Sequence, residues 1–162
     1  MTAHPLLIFD FDGVIVDGMA EYWWSAWMAA QRLDAEPQGL GPDAVPQGFR
    51  RLRPWVHHGW EMVLLAAEMP QLDPERWVVN YAAEQAMALH QRGWSATQLQ
   101  EALDQTRQQA VSSDRAAWLG LHQPLPGLVD RLQAFQEEGV DWAVRTTKTA
   151  AFTAELLESL GL

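Results

Sequence analysis

The chain has 162 residues, which corresponds to one domain or to a small core with an inserted segment. Its net charge is −10, which disfavours nucleic acid and anionic membranes as partners. It has no cysteine, so disulfides, thiolate catalysis and cysteine zinc sites are excluded. No apolar run is long enough to span a membrane, and Asp10 interrupts the first one at once, which argues against a signal peptide. We therefore expect a cytoplasmic chain.

The order of apolar and amphipathic segments predicts a strand, a block of helices, and then a helix, a strand and a helix. Leu6–Phe9 is typical of a buried strand in a parallel sheet, and a loop rich in proline and glycine is expected at 34–48. Helices are expected from Met19 to about Leu33, from Pro54 or Val56 to Glu68, from Pro74 to just before Gly93, and from Ser95 to about Val111. A further short helix, capped by Ser112 or Ser113, is expected to end near Leu119. The last expected elements are a helix over 128–138, a strand over 140–144 and a helix over 149–160. This order predicts an α/β fold with a helical insertion of roughly a hundred residues.

Two carboxylates follow the first predicted strand at positions i and i+2. Asp10 and Asp12 are expected to face the crevice at the carboxyl end of that strand, where open α/β sheets bind ligands. A carboxylate is ionised at pH 7 and can attack phosphorus once the charge on the phosphoryl group is neutralised. Mg²⁺ held by oxygen ligands supplies that neutralisation.

The segment Phe9–Asp17 resembles the first motif of the haloacid dehalogenase superfamily, an apolar strand followed by Asp-x-Asp-Gly, two apolar residues and Asp. Pro124–Leu132 resembles the segment that returns from a helical cap to the core, and Val140–Lys148 resembles the second motif. The nearest resemblance is to the branch of phosphoglycolate phosphatases. It implies a Rossmann-like α/β core at 1–18 and 122–162, incomplete in this chain, with an inserted α-helical cap at 19–121.

The resemblance also implies an Mg²⁺-dependent phosphatase that works through an aspartyl-phosphate. Asp10 would be the nucleophile and a metal ligand. Asp12 would protonate the leaving group, later activate water, and contact the metal through its backbone carbonyl. Thr146 is the expected phosphate-binding hydroxyl, with Thr147 as the alternative. Lys148, the one lysine of the chain, follows in the same segment and could also contact the phosphate.

The predicted cap contains three arginines within four positions. Arg50, Arg51 and Arg53 could bind a carboxylate or a second phosphate of the substrate, since arginine makes bidentate contacts with both, but a solvated surface explains them at least as well. The resemblance implies a cap that closes over a small phosphorylated metabolite and excludes water from the site. A phosphomutase shares the same motifs, so this alternative stays open.

The third and fourth motifs of the superfamily have no counterpart here, because only sixteen residues follow Thr146. Three explanations stay open: a truncated sequence, a fragment completed by a partner chain or an oligomer, and a decayed enzyme. The alternative to a phosphatase is therefore a catalytically incomplete fragment or pseudoenzyme.

Overall fold

A computed structural model describes residues 6–33, 40–146 and 150–162, and shows a mostly helical α/β protein with a small parallel sheet. The elements are β1 Leu6–Asp10, β2 Val16–Asp17, α1 Met19–Arg32, α2 Gln47–Leu52, a 3₁₀ turn Arg53–Trp55, α3 Gly59–Glu68, α4 Pro74–Arg92, α5 Ala96–Ser113, α6 Arg115–Leu119, β3 Gln123–Pro124, α7 Leu128–Glu137, β4 Asp141–Arg145 and α8 Ala150–Ser159. The predicted α/β class with a helical insertion after the first strand is confirmed.

The chain divides into two compact units. Unit 1 consists of Met1–Gly18 and Ala116–Leu162, and unit 2 is the continuous segment Met19–Arg115. Unit 1 is therefore discontinuous in sequence, with unit 2 between its two segments. The division into a core at 1–18 and 122–162 and a cap at 19–121 stays a prediction. Residues 116–121 belong to unit 1 because Trp118 is buried there, with its ring 4.8 Å from that of Phe152.

The sheet of unit 1 pairs β1 with β4 in parallel, in a register that runs from Leu6 opposite Asp141 to Asp10 opposite Arg145. Because side chains alternate between the faces of a strand, Phe9 packs towards a core that contains the fully buried Leu132. The opposite face carries Leu6 and Ile8, which are 56% and 63% exposed. The strand that the sequence predicts as buried is therefore exposed on one face within the described part of unit 1.

A second, shorter pairing joins the two segments of unit 1. In this antiparallel ladder Val16 of β2 lies opposite Pro124 of β3, and Asp17 lies opposite Gln123. Leu125 continues the contact, because its amide donates to the carbonyl of Ile15 at 3.0 Å. The outgoing and returning chain segments are thus held side by side within unit 1.

Unit 2 is built around three mutually packed helices, α1, α3 and α5. Each carries apolar side chains at helical spacing on one face, and Trp23, Leu64 and Leu103 are completely buried between them. Helix α4 begins at Pro74 after the N-cap Asp73 and ends at Gly93, as the sequence predicts, but its backbone leaves helical geometry at Asn80. Throughout the described ranges, no helix is long and apolar enough to cross a bilayer.

Two local predictions need correction. Helix α2 begins at Gln47, inside the segment expected to be loop, because Phe49 and Leu52 are fully buried and provide an apolar face there. Helix α3 begins at Gly59, later than the predicted Pro54 or Val56, since the 3₁₀ turn Arg53–Trp55 uses the preceding residues. Residues 34–39 of the predicted loop lie outside the described ranges.

Candidate active site

The residues that follow β1 form a tight loop anchored by one buried aromatic side chain. Phe11 is completely buried, and its carbonyl accepts hydrogen bonds from the amides of Ile15 at 2.8 Å and Val16 at 3.1 Å. Gly13 adopts a φ of +76° in this loop, a conformation that only glycine adopts without strain, while its amide donates to the carbonyl of Val16. The loop therefore fixes the backbone on both sides of Asp12.

Asp10 and Asp12 flank the buried Phe11 and differ in their exposure. Asp10 is the last residue of β1 and is exposed, and its Oδ1 accepts a hydrogen bond of 2.7 Å from the Phe11 amide. That bond sets the orientation of the carboxylate and leaves its second oxygen for a ligand. Asp12 is half-buried, and its Oδ1 atom is buried. The structure thus places one solvent-facing carboxylate at the carboxyl end of β1 and a second one two residues later.

The carboxyl end of β4 lies directly beside this loop. Arg145 is the residue opposite Asp10 in the parallel register, and Thr146 follows it. Both line an open cavity of about 460 Å³, which the first turns of α8 close on another side through Thr153. Asp10 is not among the residues that line this cavity. The predicted Thr146 is therefore brought to the same sheet edge as Asp10, whereas Thr147 and Lys148 lie outside the described residues.

Comparison with known proteins identifies the family. Residues 4–162 match the family model described as a haloacid dehalogenase-like hydrolase. The chain belongs to this family. A phosphoglycolate phosphatase from Agrobacterium fabrum is 28% identical over 159 residues, which are 98% of this chain and 54% of that protein. The chain thus spans about half the length of this curated relative. A hydrolase of known structure from Pseudomonas syringae is 21% identical in sequence, and the match covers 99% of this chain and 56% of the hydrolase chain, with a TM-score of 0.45.

A divalent cation would find a partial set of ligands in this haloacid dehalogenase-like chain. Asp10 and Asp12 offer hard carboxylate oxygens two positions apart in the sequence, and Asp12 adds a backbone carbonyl. Over 6–33, 40–146 and 150–162, however, no three His, Asp or Glu side chains come close enough together to hold a metal ion. Mg²⁺ is commonly held by one or two carboxylates together with waters and substrate phosphate, so the residues present fit an ion shared with a phosphate group.

The three arginines predicted for the cap have different surroundings in unit 2. Arg50 is exposed and lines an open cavity of about 590 Å³ between α2 and the start of α4. Arg51 lines the same cavity and forms an exposed ion pair with Glu75. Arg53 is half-buried, with its guanidinium 4.4 Å from the centre of the Tyr22 ring, and within the described structure its buried Nε donates to no acceptor. The structure therefore does not gather the three side chains into one cluster.

Two buried acidic residues of unit 2 were not predicted. The Glu61 carboxylate accepts hydrogen bonds from the amide of His58, the N-cap of α3, and from the hydroxyl of Tyr81 at 2.8 Å. Burial raises the pKa of Tyr81, and the hydrogen bond to Glu61 raises it further. A glutamate three positions after an N-cap is the signal of a capping box, which could have revealed the first of these contacts but not the second.

The other unpredicted acid is Glu21 of α1, which is almost completely buried. Both of its oxygens accept hydrogen bonds from Arg107 of α5, from Nε at 2.7 Å and from Nη2 at 2.9 Å, and Ser25 donates to it as well. Burial lowers the pKa of Arg107, but the charge and hydrogen bonds of Glu21 outweigh this, so the pKa is raised above its ordinary value. Its partners within unit 2 give Glu21 a structural role.

Proposed function

We propose that this chain carries the nucleophile and the acid–base residue of a phosphatase that acts on a small phosphorylated metabolite. The supporting observation is the position of Asp10, an exposed carboxylate at the carboxyl end of β1, with Asp12 held two residues later by the loop around Phe11. Membership of a hydrolase family and similarity to a phosphoglycolate phosphatase point to the same chemistry.

The first step of the proposed reaction transfers the phosphoryl group to the protein. A carboxylate oxygen of Asp10 attacks phosphorus, and the bond between phosphorus and the ester oxygen breaks. The proton held on the Asp12 carboxyl moves to that ester oxygen, and the alcohol leaves. The Phe11 amide, bonded to Oδ1 of Asp10, keeps the nucleophile oriented towards the phosphoryl group.

The second step releases phosphate. The Asp12 carboxylate takes a proton from water, the oxygen of that water attacks phosphorus, and the bond from phosphorus to Asp10 breaks, so inorganic phosphate leaves and both side chains return to their starting forms. Thr146 would donate its hydroxyl to a phosphoryl oxygen. Mg²⁺ is the proposed cofactor: held by Asp10 and Asp12, it would neutralise charge on the phosphoryl group.

The proposed substrate class is a small phosphorylated acid. The relative from Agrobacterium fabrum bears the name of such a substrate, and Arg50 and Arg53 are two cations of unit 2 that form no ion pair within the described residues. Arg51 is a weaker candidate, because Glu75 already neutralises it. We further propose that residues 1–18 and 122–162 act as the catalytic core, that 19–121 acts as the cap, and that the protein works in the cytoplasm.

A specific observation favours a second candidate, a catalytically incomplete chain. In the part of the chain that the structure describes, the parallel sheet has two strands, and the exposed Leu6 and Ile8 leave one face of β1 uncovered. Parallel sheets are normally covered on both faces, so such a unit would need further protein, from a partner chain or a second copy, before it turned over substrate.

The test is the hydrolysis of p-nitrophenyl phosphate by the whole 162-residue chain, with Mg²⁺ and with a chelator. The proposal expects turnover that requires Mg²⁺ and falls to the uncatalysed rate in Asp10→Asn. Asp141→Asn is the matched control, because Asp141 is an exposed aspartate at the opposite end of the same sheet. Its rate should equal that of the original chain.

Two results would contradict the phosphatase proposal. Equal rates for the original chain and Asp10→Asn would show that Asp10 is not the nucleophile. Absence of turnover from a chain that circular dichroism shows to be folded would support the incomplete chain instead, and addition of a candidate partner protein would then be the next measurement.

A further inference from the structure

The proposed reaction would gain from a protein cation close to Asp10 in addition to the proposed Mg²⁺. An ionised carboxylate and a phosphoryl group repel each other, and each cation held beside them reduces that repulsion. The described part of unit 1 contains two arginines, Arg131 and Arg145, and Arg115 lies at the boundary with unit 2. Arg131 is already engaged on α7, where it pairs with Glu138 at 3.2 Å and lies 4.0 Å from the centre of the Phe135 ring.

Arg145 occupies the position opposite Asp10. The two residues are paired in the parallel register, so their backbones lie about 4.8 Å apart, the usual spacing of adjacent strands. In-register residues of neighbouring strands direct their side chains to the same face of the sheet. Here that is the face with the exposed Leu6 and Ile8, and both Asp10 and Arg145 are exposed as well.

The two charged side chains do not neutralise each other. Within the described residues Asp10 has the Phe11 amide as its hydrogen-bond partner, and the Arg145 guanidinium forms no ion pair or hydrogen bond. A direct ion pair would weaken Asp10 as a nucleophile and occupy the donors of Arg145. The observed arrangement leaves both groups available to a third, anionic group placed between them.

We propose that Arg145 is a catalytic residue that binds the phosphoryl oxygens of the substrate beside Asp10, an inference that rests on the function proposed above. The planar guanidinium presents paired donors that match two phosphoryl oxygens, which a lysine cannot do. Thr146, the next residue, lines the same cavity as Arg145. Arginine at this position thus binds the group that Asp10 attacks, and its charge offsets the repulsion between the two anions.

The experiment measures binding of inorganic phosphate to the whole chain by titration calorimetry at low ionic strength, where exposed charges are least screened. Loss of one charge-assisted contact at an exposed site corresponds to about a tenfold weaker affinity, and this is the expected effect of Arg145→Gln. Arg145→Lys keeps the charge but loses the paired donors, so its phosphate affinity should lie between those of the original chain and Arg145→Gln. Arg131→Gln removes the same charge elsewhere in unit 1 and should bind phosphate like the original chain.

Three results would overturn the inference: equal phosphate affinity in Arg145→Gln and the original chain, equal losses in Arg145→Gln and Arg131→Gln, or no binding by the original chain at millimolar phosphate. Circular dichroism of each variant shows whether the fold is retained, and the affinity of Arg145→Lys decides the matter if the glutamine variant unfolds. The proposed function is tested separately, by the hydrolysis rate of Asp10→Asn. It can therefore fail while the phosphate affinities still support a role for Arg145.

Discussion

The buried ion pair between Glu21 and Arg107 allows a quantitative test of how unit 2 is held together. The Glu21 side chain is 1% exposed, whereas that of Arg107 is 28% exposed. Arg107→Met would therefore leave a carboxylate without its cation in the core, with Ser25 as the remaining side-chain donor described for it. Breaking a buried pair in this way costs about 3–5 kcal/mol, a large share of the stability of a typical domain.

The exposure difference predicts an asymmetry between the two single variants. Glu21→Met leaves the guanidinium of Arg107 able to reach solvent, so we expect a smaller cost of about 2 kcal/mol. The double variant removes both charges and keeps a similar volume, and it should lie within about 1 kcal/mol of the original chain. The two single losses would then be strongly non-additive, as expected for groups in direct contact.

Urea unfolding followed by tryptophan fluorescence measures these free energies, and seven of the nine tryptophans lie in unit 2. A loss below about 1 kcal/mol in Arg107→Met, or a double variant as unstable as the worse single one, would refute the reasoning. The first result would mean that water reaches Glu21. The second would mean that packing, and not charge pairing, determines the effect.

Two further predictions concern individual side chains of each unit. Tyr81→Phe removes the hydroxyl that donates to Glu61 and should cost about 2 kcal/mol near neutral pH in urea unfolding. Because the pKa of Tyr81 is raised in the folded state, the stability contributed by its hydroxyl is complete below the unfolded pKa of about 10 and is lost as the pH rises above that value. If the difference in unfolding free energy between Tyr81→Phe and the original chain did not shrink above that pH, the prediction would be contradicted. In unit 1, Leu132→Ala removes a completely buried side chain and should lower the free energy of unfolding by about 3 kcal/mol, whereas Ile8→Ala, at a position 63% exposed, should lower it by less than about 0.5 kcal/mol. Hydrogen exchange of the β4 amides measures both losses of stability. Equal losses would mean that the exposed face of β1 is covered in solution.

Local signals in the sequence predicted most elements of secondary structure because short-range chemistry determines them. Asp73 followed by Pro74 marks the start of α4, Ser95 caps α5, and Gly93 ends α4 with a φ of +65°. Each of these signals concerns hydrogen bonds within a few residues of the helix end. Such bonds form in the same way whatever the rest of the chain does.

Contacts between distant segments could not be predicted in this way. Glu21 and Arg107 are 86 positions apart, and nothing in the helical pattern of α1 indicates that a buried acid would find its cation on α5. The opposition of Asp10 and Arg145 depends on the register of a parallel pair, which alternation of apolar residues does not determine for a strand as short as five residues. The motif therefore predicted the candidate nucleophile, whereas its neighbour across the sheet became apparent only from the structure.

The short ladder between β2 and β3 has a consequence for how this chain can vary. It pairs Asp17 with Gln123, so the two ends of segment 18–122 lie next to each other in the ladder. The entropy of closing such a junction grows only slowly with the length of the segment, by about 0.6 kcal/mol for each doubling. On chain entropy alone, the same two-residue ladder would therefore tolerate a smaller or a larger insertion between Asp17 and Gln123.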